Sequence, residues 1–343
     1  MASHRRYPAS GFNRGARVTL LSTAAATAAA ALGTAPAEAD PADTPEAVRA
    51  EVDRLYEHAE KATEQYNEAG ERADRLRREV AEAQDRAARG QERINRMRNT
   101  LGSVAGAQYR SGGMDPALAL LLSAEPDTYL GKAEVLTRLG ERHTAALREL
   151  RQAQRRLGQE RSEVSRKLVE RERARSAVAR HKRSVEAKLA AARRLLNSLP
   201  ATWREAYDRA SRSGRAGVLD LPGGSAPSSS RAAAAVAAAR SVIGKPYVWG
   251  ANGPRGFDCS GLTQWSYAQA GVGLPRTSQA QRYAGRQVSL SEARPGDLVT
   301  YRSDASHVAM YVGDGQVVHA PYPGASVRYD PVGMMPIASV TRP

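Results

Sequence analysis

Gly256-Phe257-Asp258-Cys259-Ser260-Gly261-Leu262 contains the single cysteine of a 343-residue chain, and the stretch from Ser306 to Ala320, Ser-His-Val-Ala-Met-Tyr-Val-Gly-Asp-Gly-Gln-Val-Val-His-Ala, contains its last two histidines, His307 and His319. In the first stretch, Leu262, Trp265, Tyr267 and Ala270 suggest a helix that Gly271 and Gly273 close, so Cys259 falls in its first turn. There the unsatisfied N–H groups and the positive end of the helix dipole favour a thiolate, and a lowered thiol pKa is expected. The second stretch reads as two strands around a glycine-flanked turn. A three-residue loop, Gly313 to Gly315, sets Ala309 opposite His319 and brings His307 to the same face as His319. A two-residue loop would pair Met310 with His319 and part the two rings.

A cysteine nucleophile needs a base beside it and a third polar group that fixes the imidazole of that base. Cys259, His307 and His319 can supply these roles. Zinc is the rival use of such residues, but one cysteine and two histidines give three ligands without a short metal-ligand spacing, so no metal or other cofactor is expected. His58, His143 and His181 are scattered over the helical part and read as surface or seam residues.

Outside these stretches the composition changes sharply along the chain. Val48, Val52, Leu55, Ala59, Ala62, Tyr66, Ala69, Ala73, Leu76, Val80, Ala83 and Ala87 alternate in steps of four and three, and the pattern resumes at Ile94, Met97, Leu101 and Val104. This is a heptad seam on one long helix. A second, less regular seam runs from Leu136 to Leu199 and stops at Pro200. Gly112 and Gly113 let the chain turn back between the arms, Asp115-Pro116 starts a short helix, and Leu118, Leu120, Leu121 and Leu122 form an apolar patch at the tip. The expected architecture is an antiparallel coiled-coil hairpin over 40–213, a flexible linker over 214–230, and a compact α+β domain over 231–343. Those leucines either seal the hairpin end or face a partner.

At the N-terminus, Arg5, Arg6, Arg14 and Arg17 precede the apolar run Val18 to Leu32 and the small-residue sites Ala35-Pro36-Ala37 and Ala37-Glu38-Ala39. Together they predict a signal peptide over 1–39, cleaved near Ala37 or Ala39, and a secreted product with no transmembrane anchor. A solitary cysteine excludes an internal disulfide framework. The net charge of +15 and pI near 10.3 suit an anionic partner. The basic residues lack the aromatic interleaving or finger spacing of a nucleic-acid reader, so no nucleic-acid partner is expected.

The segments PYVWG, GFDCSGLTQW, LPRTSQAQ, RPGDLV and SHVAMYVGDGQVVHAP together resemble the NlpC/p-sixty cysteine peptidases and cover essentially all of 231–343. The resemblance implies a papain-like α+β fold, Cys259 as nucleophile, His307 as base and His319 as third polar residue. It further implies that Tyr247 lines the site and helps to hold the oxyanion. Asp258 and Ser260 either touch the substrate or, in the case of Asp258, cap the helix. Ala251 and Ala309 stand where the family usually has glycine. The implied substrate is the peptidoglycan stem peptide, cut between γ-linked D-glutamate and the diamino acid. The hairpin resembles those of exported actinobacterial wall hydrolases, and is expected to target or restrain the catalytic domain or to recruit a cell-wall or divisome protein. In the alternative reading the chain is a non-catalytic activator or scaffold.

Overall fold

The computed structural model describes residues 44–110, 112, 116–122, 126–212 and 226–343. The N-terminal leader, Gly113, Asp115 and linker residues 214–225 lie outside the described residues.

Helix α1 spans Pro45–Arg110 and α3 spans Pro126–Ser198. At 1.5 Å per residue the 66 residues of α1 reach about 100 Å. Val52, Ala59, Ala62, Leu76, Val80, Ala83 and Ile94 of the first seam are buried, against Leu157, Ala174, Val185 and Ala192 of the second. Between the arms lies α2, Pro116–Leu121. Leu118, Leu121 and Leu122 point outward there and only Leu120 is half-buried, so most of the apolar patch does not seal the end. Among the described residues no helix is long and apolar enough to cross a membrane.

Beyond Pro200 an additional helix, α4 at Ala201–Arg212, continues where the heptad pattern predicts nothing. Proline is tolerated just before a first turn, because the missing N–H would have had no partner there. Tyr207 of α4 packs within 6.5 Å of the Tyr322 ring.

The C-terminal part is a six-stranded antiparallel sheet with helices against it. Helix α5 covers Ser230–Ser241, α6 Cys259–Gln269 and α7 Ser278–Gln281. The strands are β1 (Arg286–Val288), β2 (Leu298–Tyr301), β3 (His307–Gly313), β4 (Gln316–His319), β5 (Arg328–Pro331) and β6 (Ile337–Arg342). Their spatial order is β1-β6-β2-β3-β4-β5. Alternation along β3 divides the core: Val308, Met310 and Val312 pack with Val236, Ala239, Leu262 and Tyr267 of α5 and α6. Ala309 packs on the other face with Val299, Tyr301 and Val317.

The β3–β4 hairpin reaches the expected register by a different route. Gly313 pairs with Gln316, which leaves a two-residue turn, Asp314-Gly315, with φ of 51° and 69°. Positive φ at both central residues suits the twist of a hairpin. A register shift between Tyr311 and Gly313 then restores Met310 opposite Val318. The bulge does the work expected of a longer loop, and His307 and His319 share a face.

Helix α6 starts under tight packing. A Cβ on Gly261 would lie 2.2 Å from the Ala251 carbonyl oxygen, which accepts the Asp258 N–H. Gly261→Ala is therefore expected to destabilise the domain by about 2–3 kcal/mol through overpacking, seen as a lower denaturant midpoint at unchanged slope.

Candidate active site

Asp258 caps α6: its Oδ1 accepts the Gly261 N–H at 2.7 Å, and Cys259 is the first helical residue. The Arg276 guanidinium grips both Asp258 oxygens, at 2.9 and 2.6 Å, and Gly250 N–H reaches Oδ2 at 2.9 Å. Capping is thus what Asp258 visibly does. Arg276 also donates to Ser260 Oγ at 3.0 Å, so the residues on both sides of the cysteine are clamped by one cation.

The first peptide of β3 faces the sulfur, and the Val308 amide there favours the thiolate. His307 precedes that amide, and its Nε2 lies 2.8 Å from His319 Nδ1. His319 Nε2 in turn lies 2.8 Å from Asp330 Oδ2, which accepts the Arg328 Nε–H at the same distance. The imidazoles therefore form a relay that ends on a carboxylate, and His307 is left with Nδ1 as its remaining nitrogen. Tyr247 is buried in the same core cluster as the cysteine. All six residues expected at the site, Tyr247, Asp258, Cys259, Ser260, His307 and His319, are thus brought into one neighbourhood.

Helix α1 lies over that neighbourhood. The Cys259 thiol donates to Glu64 Oε1 at 3.7 Å, and the Ser260 hydroxyl donates to the same oxygen at 2.7 Å. The Ser278 N–H donates to Glu64 Oε2 at 2.9 Å. One turn earlier, Glu60 accepts from Arg302 at 2.6 Å, and its Oε1 stands 3.6 Å from His307 Nδ1, beyond hydrogen-bond distance. Asn67 Nδ2 donates to Asp258 Oδ2 at 3.1 Å. Cys259 is consequently only 2% exposed and His307 is fully enclosed.

This burial reverses the expected acidity of the thiol. Burial, followed by the Glu64, Asp258 and Glu60 charges, pushes Cys259 well above the usual thiol range, and these outweigh the Val308 amide. Burial, then repulsion from His319 and Arg302, holds His307 well below the usual imidazole range. Glu60 and Glu64 are each pushed up to about 7, chiefly by burial. With α1 in place, burial favours a neutral thiol and a neutral imidazole over the ion pair that attacks a carbonyl.

Sequence reasoning missed Glu60, Glu64 and Asn67, which look like solvated flanks of the seam. A signal is present nonetheless: between Lys61 and Arg72 the arginine-rich arm carries no basic residue, and Glu60, Glu64 and Asn67 follow one another at helical steps of four and three. Asp330, on a strand of mixed polarity, carries no comparable mark.

Residues 244–339 match the NlpC/P60 family. A probable endopeptidase of Corynebacterium glutamicum is 46% identical over 128 residues, covering 37% of this chain and 61% of that protein. A probable endopeptidase of Mycobacterium tuberculosis is 50% identical over 99 residues, covering 29% of this chain and 26% of that protein. The chain thus spans about three fifths of the first relative and about a quarter of the second. Among solved structures, the NlpC/p60 domain of the peptidoglycan hydrolase SagA is 41% identical, with 33% of this chain and 98% of that chain covered and a TM-score of 0.31. The peptidoglycan hydrolase RipB of Mycobacterium tuberculosis is 35% identical, with 33% and 64% covered and a TM-score of 0.31.

Proposed function

Because the chain belongs to the NlpC/P60 family through its C-terminal domain, we propose that it is a secreted, wall-associated cysteine endopeptidase that cuts peptidoglycan stem peptides between γ-linked D-glutamate and the diamino acid. The observation that carries this reading is the linked His307–His319 pair, 2.8 Å apart, on the strand whose first peptide meets the Cys259 sulfur.

In the proposed reaction His307 Nδ1 takes the thiol proton as the sulfur attacks the amide carbonyl. His319, held by Asp330, fixes the His307 ring and its tautomer. The oxyanion takes the Cys259 N–H and the Tyr247 phenol. Burial raises that phenol well above its usual range, which keeps it protonated and able to donate. His307 then returns the proton to the leaving amine, and water hydrolyses the thioester. The basic leader and apolar run of the first 39 residues support export of this activity.

Mass analysis of fragments released from purified peptidoglycan tests the reading. New ends are expected at the D-glutamyl γ-carboxyl and at the diamino acid amine, and none should appear with Cys259→Ala. Cleavage at another amide would overturn the assigned bond. Equal release by the alanine chain would overturn the cysteine mechanism.

A further inference from the structure

We infer that the groove between α1 and α3 around Gly90 is a binding site for a linear phosphodiester polymer of polyol or sugar units, through which the hairpin holds the chain on an anionic cell wall. The site is separate from the Cys259 chemistry; its wall setting rests on the proposed export.

Charge is unevenly placed on the two arms. Acidic and basic residues balance in α1, whereas basic residues far outnumber acidic ones in α3. At mid-shaft the packing of the arms opens. Gly90 presents no side chain to the partner arm, and a Cβ there would meet only Glu160 Oε2 at 3.0 Å and Leu157 Cδ1 at 3.7 Å. A cavity of about 330 Å³ lies here, bordered by Arg86, Arg89 and Arg93 of α1 and by Arg156 of α3. It runs on into a second cavity of about 420 Å³, which shares Arg93 and adds Arg96.

The arginines are arranged for a chain of charges and not for a single ion. Arg86, Arg89, Arg93 and Arg96 follow one another at steps of three, four and three, so they share one helix face. Neighbours are offset by about 4.5–6 Å and the row rises about 15 Å along the helix. Arg86 pairs with Glu163 at 3.2 Å and Arg96 with Glu92 at 2.7 Å, both in exposed pairs that are weakly held. Arg89, Arg93 and Arg156 make no ion pair or side-chain hydrogen bond among the described residues. Guanidinium forks bind phosphate oxygens two at a time. In a phosphodiester chain the charge sits in the backbone itself, so a groove between two helices can take it, whereas a polycarboxylate carries its charge on side arms that need more room. The carbon units between phosphates also find partners. Ala153 and Leu157 give the groove an apolar floor. Glu160 Oε2, buried with no hydrogen-bond partner among the described residues, can accept from a hydroxyl. No aromatic side chain lines either cavity, so the bases of a single-stranded nucleic acid would find no stacking platform.

Fluorescence anisotropy of end-labelled poly(glycerol phosphate), titrated with the full chain, tests the site. Arg89→Gln with Arg93→Gln and Arg156→Gln is expected to weaken binding roughly tenfold or more, and to flatten the slope of log affinity against log salt by about two. Arg173→Gln with Arg180→Gln and Arg183→Gln removes the same charge from exposed positions farther along α3, and should weaken it by less than about threefold. Gly90→Leu fills the groove without altering the charge, and should weaken binding several-fold. Equal loss in the two triple variants overturns the site, and so does native affinity in the Gly90→Leu chain. The native chain supplies a further arm that needs no substitution: tighter binding of poly-L-glutamate or of a single-stranded oligonucleotide than of poly(glycerol phosphate) overturns the assigned ligand. Purified walls should retain the native chain and lose most of it once hydrofluoric acid has stripped their phosphodiester polymers; undiminished retention overturns the wall polymer as the source. Cys259→Ala should bind as the native chain does, so loss of cleavage and loss of binding are read separately.

Discussion

His307→Ala is expected to lower peptidoglycan cleavage by at least about 10³-fold, nearly as far as loss of the cysteine itself. Nε2 of this ring is engaged by His319, so Nδ1 is the nitrogen left to accept the thiol proton. The surroundings do not supply a thiolate in its place, since burial and the nearby carboxylates hold the proton on sulfur. Without the imidazole, attack would have to proceed from a neutral thiol. His319→Ala should be milder, about 10–10²-fold, because it loosens the base without removing it. Rates of fragment release from the three chains at one pH check the ordering. A His307→Ala chain that retained more than a tenth of native turnover would place the base elsewhere.

Arg276→Ala is expected to be the most damaging single change to stability, at about 3–5 kcal/mol. It strips the cation from Asp258, a carboxylate with no solvent exposure that Arg276 contacts through both oxygens. Backbone amides of Gly250 and Gly261 and the Asn67 amide would still hold the charge in place, so it could not relax into water. Since Asp258 also caps the helix that begins with Cys259, the nucleophile should shift with it. Arg276→Lys keeps the charge and loses the two-pronged geometry, and should recover part of the loss. Thermal and denaturant unfolding followed by circular dichroism measure both. A midpoint within a degree or two of native for Arg276→Ala would show that the pair contributes little.

Local rules made much of the architecture legible. Heptad steps from Val48 to Val104 mark α1, and an apolar run behind Asp258-Cys259 marks α6, because helix periodicity and capping depend on near neighbours in sequence. The shared face of His307 and His319 was legible too, although a tight turn plus a bulge achieves it where a longer loop was expected. The acidity of Cys259 was not legible. A helix start favours the thiolate by a modest amount that falls off within a turn, whereas burial beneath α1 acts on the same sulfur with the opposite sign. The residues responsible lie nearly 200 positions upstream, with Glu64 separated from Cys259 by 195. Heptad analysis assigns such residues to solvent because it knows only the partner arm, and a helix that serves two partners carries a second stripe the repeat does not describe.

The enclosed sulfur also determines how long the chain can wait before use. Oxidants attack the thiolate form of an accessible cysteine, converting it first to sulfenic acid and then irreversibly onward. Here burial favours the protonated sulfur and shields it, and the sequence holds no second thiol to form a bridge. The reactive atom is thus kept from oxidants for as long as α1 covers it, and any rearrangement that bared the sulfur would also open it to irreversible damage.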